Sequence, residues 1–259
     1  MTKRWSLVWL CAVLMLVAST GCAGAKAMNM NEPWDLVWYS DSTGFDIADL
    51  WAERIQQELG VEVLVHDYSA GGLPAAQILR WIGTGDGSLP NMRTTLADAE
   101  IIVIYGNPRD SGYTSDIETC VSTSPTPRDP PVAYSADDFA PYRDVLEKIY
   151  DIIFELRKGE ATIVRTYDSY NPVLGPWKEA GIADQCVAAW NAWSQSVHDV
   201  AAEYNVPVVP IYDLFNGPNH DEDPRDKGYI WADGQHPSDE GKAVMVDAFD
   251  AAGYEPVDR

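Results

Sequence analysis

Short, mostly apolar runs alternate along the chain with longer stretches whose apolar residues recur every three or four positions, and the two periods predict different elements. Asp35–Tyr39, Val61–His66, Glu100–Tyr105, Ala161–Tyr167 and Pro207–Tyr212 read as five strands. Glu100–Tyr105 is nearly all apolar and rich in β-branched residues, as a strand covered on both faces must be. Asp46–Leu59 places Ile47, Leu50, Trp51, Ile55 and Leu59 on one helical face and stops at Gly60. Pro74–Trp81 reads as a short helix opening on proline, Ala136–Lys158 as a long amphipathic helix closed by Gly159, and Ile182–Tyr204 as another. Ser238 stands where it can cap a last helix running to about Ala252.

Strands and helices in alternation build βα units. They predict the α/β class, a three-layer α/β/α domain around a five-stranded parallel sheet in the flavodoxin-like order 2-1-3-4-5. Ligands of such sheets bind beyond the carboxyl ends of the strands. The polar segments that follow strands one, two and three, and the one that precedes the last helix, should therefore share one edge. Two long loops interrupt the pattern. Residues 108–134 hold five prolines and Cys120, and residues 213–232 hold Asp221-Glu222-Asp223. Either loop could rim a pocket. The acidic run lacks the spacing of a calcium loop and reads as a solvated turn.

The N-terminus changes the picture of where the domain works. Lys3 and Arg4 precede an apolar stretch from Trp5 to Ala18, and Ser19-Thr20-Gly21 precede Cys22. That stretch is short for a bilayer span, so residues 1–21 read as a signal peptide. The small residues before Cys22 resemble a bacterial lipobox, which would make Cys22 the lipidated first residue; plain secretion is the alternative. Residues 22–32 would then be a tether and 33–259 the folded domain, touching a membrane only through the anchor. Losing Lys3 and Arg4 takes the formal net charge from -22 to -24. A surface so acidic repels nucleic acid and anionic lipid, and neither is an expected partner. Cys11 leaves with the signal and Cys22 takes the lipid, so Cys120 and Cys186 remain to pair in an oxidising compartment, with two unpaired thiols the alternative. Closing that loop would contribute about 4 kcal/mol on the chain-entropy account. Neither cysteine has a neighbouring histidine or second cysteine, so no metal site is expected, and no cofactor motif is present.

The candidate chemistry sits at the predicted edge. Asp233-Gly234-Gln235-His236-Pro237-Ser238 puts a carboxylate and an imidazole three positions apart on a loop stiffened by proline. A carboxylate beside one ring nitrogen holds the tautomer and stabilises the protonated ring, which suits a general base. Ser42, in Ser40-Asp41-Ser42-Thr43-Gly44, lies where the first strand gives way to a helix. It is either a nucleophile with its own N–H ready to donate, or, like Thr43, a cap for the helix near Asp46. Gly71-Gly72 after the second strand offers an open backbone N–H or simply a turn. Asn107, in Tyr105-Gly106-Asn107-Pro108, offers an amide donor or again a turn. His66, His198 and His220 lack an aspartate at that spacing followed by proline.

The ordered set Ser40-Asp41-Ser42-Thr43, Gly72, Gly106-Asn107 and Asp233-Gly234-Gln235-His236-Pro237 resembles the SGNH (GDSL-type) hydrolases, over Trp34 to about Ala252. The resemblance implies Ser42 as nucleophile, His236 as base, and Asp233 as its orienting acid. It implies an oxyanion hole from the Ser42 and Gly72 N–H groups and the Asn107 amide, with Gly71 the alternative to Gly72. Ser40 and Tyr105 stand where the family usually has glycine, Thr43 where it has leucine, and Pro108 where it has aspartate. The implied substrate is a small-molecule or glycan ester carrying a short acyl or O-acetyl group, or a small lipidic ester. Trp38, Trp177 and Trp231 are candidates to stack on a sugar or line an acyl pocket, although tryptophans so placed are more often buried core or loop anchors. A transacylase would use the same residues, and a carbohydrate-binding lipoprotein could retain the scaffold without the reaction. The glycine-x-serine-x-glycine signature of α/β-hydrolases is absent. A glycine-rich phosphate loop after strand one is also absent, which disfavours a nucleotide binder.

Overall fold

Strands that are apolar on both sides belong in the middle of a sheet, and the most apolar of them occupies that place. The computed structural model describes residues 28–83, 92–108 and 135–258. Five parallel strands, β1 (Trp34–Tyr39), β2 (Val63–Asp67), β3 (Ile101–Ile104), β4 (Ile163–Tyr167) and β5 (Val208–Val209), are ordered β2-β1-β3-β4-β5. Central β3 is buried at every position, and its register sets Trp38 opposite Val103. The helices are α1 (Ile47–Leu59), α2 (Ala75–Gly83), α3 (Met92–Asp98), α4 (Ala140–Leu156), α5 (Leu174–Glu179), α6 (Ala183–Glu203), α7 (Ile211–Asn216) and α8 (Asp239–Ala251). In this three-layer arrangement α1 packs against α8, and α4 packs against both α2 and α6. No helix among the described residues is long and apolar enough to cross a membrane.

The order 2-1-3-4-5 and the parallel sheet match the expectation, and most predicted boundaries fall within a few residues. The fifth strand does not. Pro207–Tyr212 was expected to be extended, but only Val208 and Val209 pair. Pro210 has no N–H to continue a ladder. Beyond it the Asp168 carboxylate accepts the Tyr212 N–H at 2.9 Å and the chain turns into α7. The long helix also starts differently: 136–139 form a 3-10 turn boxed by Ser135 and Asp138, and the α-helix begins at Ala140. The helices α3, α5 and α7 are too short to show a clear period and were not anticipated.

Of the two readings open for Trp38 and Trp177, the commoner one holds: both are buried core and not part of the site edge. Trp38 packs on Phe249 of α8 at 5.0 Å between ring centroids and on Trp51 of α1 at 6.4 Å, while Trp177 meets Trp190 edge-on at 6.0 Å. In Asp221-Glu222-Asp223, Asp223 pairs with Arg225 at 2.6 Å and Glu222 with Lys227 at 2.6 Å, and the backbone oxygen of Asp221 accepts from Lys178 Nζ. The predicted signal segment, Cys22, Cys120 and nearly all of the 108–134 loop lie outside the described residues. Cys186 is buried on α6.

Asp168, at the end of β4, is a second point of order. Besides the Tyr212 N–H it accepts the Ser194 hydroxyl at 3.2 Å and meets His198 Nε2 at 2.9 Å, tying α6 and α7 to the sheet. The hydrogen bond and charge of Asp168 outweigh His198's partial burial and raise its pKa above 6.5. A folded-state pKa above the unfolded one means stability that is fully present below about pH 6.5 and lost as pH rises through the raised value. The stability difference between wild type and His198→Gln, from urea melts across pH, is therefore expected to be largest in mild acid and to shrink on the alkaline side. A difference that does not vary with pH would contradict this linkage.

Candidate active site

The parallel register carries four loops to one edge. Tyr68 N–H donates to Trp38 O at 2.8 Å, Ala70 N–H to Ser40 O at 3.1 Å, and Tyr105 N–H to Tyr39 O at 2.8 Å, extending β2 and β3 alongside the end of β1. The loops after β2 and β3 then bond to each other. Asn107 N–H donates to Leu73 O and Ala75 N–H to Asn107 O, both at 2.9 Å. Gly106 makes that approach possible, since a Cβ there would lie 2.5 Å from Ala75 Cα. Gly72 has φ 61°, a conformation that favours glycine, and Gly71 does not share it.

Ser42 begins a 3-10 turn, residues 42–44, directly after β1. Neither Ser42 nor Thr43 caps α1, which is preceded by Asp46 with no side-chain cap. The cap of the 3-10 turn is Asp41. Its carboxylate accepts Thr43 N–H at 2.8 Å and the Thr43 hydroxyl at 2.7 Å, and its other oxygen accepts the Asn107 amide at 3.3 Å. Asp41 is buried, and burial pushes its pKa up against the opposing help of Thr43, Asn107 and the nearby His236.

The loop before α8 supplies the rest. His236 Nε2 lies 3.0 Å from Ser42 Oγ, and His236 Nδ1 lies 2.8 Å from Asp233 Oδ2. The other Asp233 oxygen accepts the N–H groups of Gln235 at 2.9 Å and His236 at 3.0 Å. Desolvation raises the Asp233 pKa, but the hydrogen bonds from His236 and these two N–H groups prevail and lower it below the ordinary value. The buried Tyr170 hydroxyl donates to Gln235 O at 2.9 Å, anchoring the loop to the end of β4. Ser238 caps α8 by accepting Gly241 N–H at 3.1 Å, and a Cβ at Gly241 would lie 2.3 Å from Tyr229 O.

Ser42, Asp233 and His236 are thus brought together, with Asn107 linked to the same group through Asp41. Two residues had been given no role. Asp41 lies within the quoted motif, and an aspartate two positions before a threonine is a recognisable turn cap. Tyr170 has no local signal at all. The departures at Ser40 and Tyr105 also find a shared reason. Ser40 Oγ is 2.6 Å from Tyr167 OH, and the Tyr105 ring stacks on Tyr167 at 4.4 Å. Gly44 leaves room for them, since its Cβ would lie 2.1 Å from Ser40 Oγ.

The fold is that of the SGNH hydrolases, lipases and acetyl xylan esterases. The lipase Lip_vut3 from a goat rumen metagenome aligns with TM-score 0.59 at 20% identity, covering 87% of this chain and 100% of that one. A variant of the acetyl xylan esterase Axe2 of Geobacillus stearothermophilus aligns with TM-score 0.56 at 14% identity, covering 87% and 97%. In sequence, the chain is similar to the spore germination lipase LipC of Bacillus licheniformis, 24% identical over 206 residues that cover 79% of this chain and 84% of the relative. No family model matches the chain.

Proposed function

We propose that the protein is a serine esterase that hydrolyses carboxylic esters with short acyl or O-acetyl groups, borne by glycans or small lipidic alcohols. One observation carries the reading: the relay Ser42 Oγ, His236 Nε2, His236 Nδ1, Asp233 Oδ2, joined by contacts of 3.0 and 2.8 Å at an edge where ligands of this fold bind. Ester hydrolysis by similar folds, lipases and an acetyl xylan esterase among them, supports the same class of reaction.

In the proposed reaction Ser42 Oγ attacks the ester carbonyl carbon, its proton passes to His236 Nε2, and the carbonyl π pair moves onto oxygen. The Ser42 and Gly72 N–H groups and the Asn107 amide receive that oxyanion. Its collapse breaks the bond to the alcohol oxygen, which leaves with the proton from His236. Water then attacks the acyl-serine, giving its proton to His236. The second collapse releases the carboxylic acid and returns the proton to Ser42 Oγ. Asp233, whose lowered pKa keeps it ionised through the neutral range, steadies the imidazolium.

The supporting experiment is trapping by a serine-directed fluorophosphonate, read by peptide mass mapping. One adduct, on Ser42, is expected, together with turnover on an ester panel of graded acyl length. A protein that neither labels nor turns over any ester would be a binding protein on a hydrolase scaffold. Acyl transfer to added alcohol in preference to water would make it a transacylase. In the same reading the domain works outside the cytoplasm, held by a lipid on Cys22 or secreted, with Cys120 and Cys186 paired.

A further inference from the structure

Trp231 departs from the other tryptophans. Trp38, Trp51, Trp177 and Trp190 are fully buried, whereas Trp231 is 48% exposed, more than any other large apolar side chain among the described residues. A single exposed tryptophan is ordinary by itself, and its place in the chain is what gives it meaning. That place is the loop carrying the Asp233–His236 pair. Trp231 N–H donates to His236 O at 2.9 Å, Gly234 N–H donates to Trp231 O at 2.9 Å, and the flanking Ile230 and Pro237 form an antiparallel bridge. The backbone therefore holds Trp231 and His236 as one rigid turn.

This geometry selects which part of an ester the indole meets. The inference rests on the proposed esterase reaction. In that reaction the oxyanion donors lie on the loops after β1, β2 and β3, while His236 hands its proton to the departing alcohol. Trp231 is joined through its backbone to the turn that carries His236, and its side chain is assigned to the alcohol side on that ground. The alcohol it meets should carry no negative charge, because the whole chain bears a formal net charge of -22. A neutral pyranose or furanose ring has a C–H face that lies flat on an aromatic surface, and its hydroxyl groups stay in water where an exposed site leaves them. We propose that Trp231 is a specificity-determining residue that stacks on a neutral sugar ring in the leaving alcohol, making O-acetylated neutral glycans the preferred substrates.

The test compares two esters that share the acetyl group and differ in the alcohol, an O-acetylated xylo-oligosaccharide and ethyl acetate. Both pass through the same acetyl-enzyme. For Trp231→Ala the ratio of kcat/KM for the saccharide to kcat/KM for ethyl acetate is expected to fall about tenfold, through KM for the saccharide. Trp231→Phe should recover much of that ratio. A ratio that does not change, or one that changes only with a long-chain alkyl acetate, would overturn the assignment. So would a wild type that cleaves ethyl acetate but shows no preference for the saccharide, and in that case the esterase reading would stand. Failure of both acetates together with failure of Ser42 to take a fluorophosphonate would instead remove the esterase reading, and this assignment with it.

Discussion

Ser42→Ala is expected to lower turnover of a short-chain aryl ester on the order of 10⁶-fold while leaving the melting temperature almost where it was. Nucleophile and base act as one unit, so the loss should match that of His236→Ala, and the double variant should lose little more. The fold has small reason to notice the change. The 3-10 turn is held by Asp41 and not by the Ser42 side chain, whose one described contact is His236. Stability should therefore stay within about 0.5 kcal/mol of wild type. Initial rates measured beside thermal melts decide the matter. Turnover that survives in the alanine variant would place the nucleophile elsewhere.

The second large effect is expected from Asp41→Asn, a change of one atom in a residue that touches no substrate in the proposed reaction. Asp41 presents one oxygen to Thr43 and the other to the Asn107 amide. An asparagine can keep the Thr43 bonds through its own carbonyl, but then sets an NH2 against the NH2 of Asn107. Two donors cannot share that contact, so the Asn107 amide should flip and turn its oxygen toward the position where the oxyanion forms. Losing an oxyanion donor costs about 10²- to 10³-fold in kcat, and the loss here should fall in that range. Because both act through one amide, adding Asn107→Ala to Asp41→Asn should cost far less than the product of the single effects. Losses that multiply would show that Asp41 does not act through Asn107.

Stability should move the other way. Burial raises the Asp41 pKa, so above its folded-state value the ionised carboxylate costs folding free energy, and that cost is relieved as pH falls through it. The neutral asparagine removes the cost at neutral pH. A variant that melts no lower than wild type and yet has lost most of its turnover would identify Asp41 as a residue kept for function.

Several features of the site were legible in single segments of the chain. The Asp233-to-His236 spacing and the proline after it are local, and a local turn is enough to put Nδ1 against a carboxylate, which is what the loop does at 2.8 Å. Capping of α8 by Ser238 is equally local. Asp41 was in view but silent, because the role proposed for it depends on Asn107, which lies on another strand's loop. Trp38 and Trp177 kept two readings because an aromatic near a strand end or in a loop looks the same in sequence whether it faces core or solvent. The fifth strand was over-extended because Pro207–Tyr212 is apolar throughout; Pro210 interrupts the ladder, and Asp168, distant in the chain, accepts the Tyr212 N–H where the second half turns into a helix.

Taken alone, then, the order of residues determined the class of fold and the strand order, since hydrophobic periods of two kinds are set by neighbours in the chain and parallel sheets admit few connections. It also singled out the side chains to which the proposed acyl transfer is assigned. Tertiary structure alone decided that Ser42 Oγ and His236 Nε2 stand 3.0 Å apart and that Tyr167 unites the departures at Ser40 and Tyr105. It alone decided that, of Trp38, Trp177 and Trp231, the last remains in water. Each of these is a contact between segments far apart in the chain, fixed by how the sheet twists and the helices pack, and no local pattern encodes such a distance.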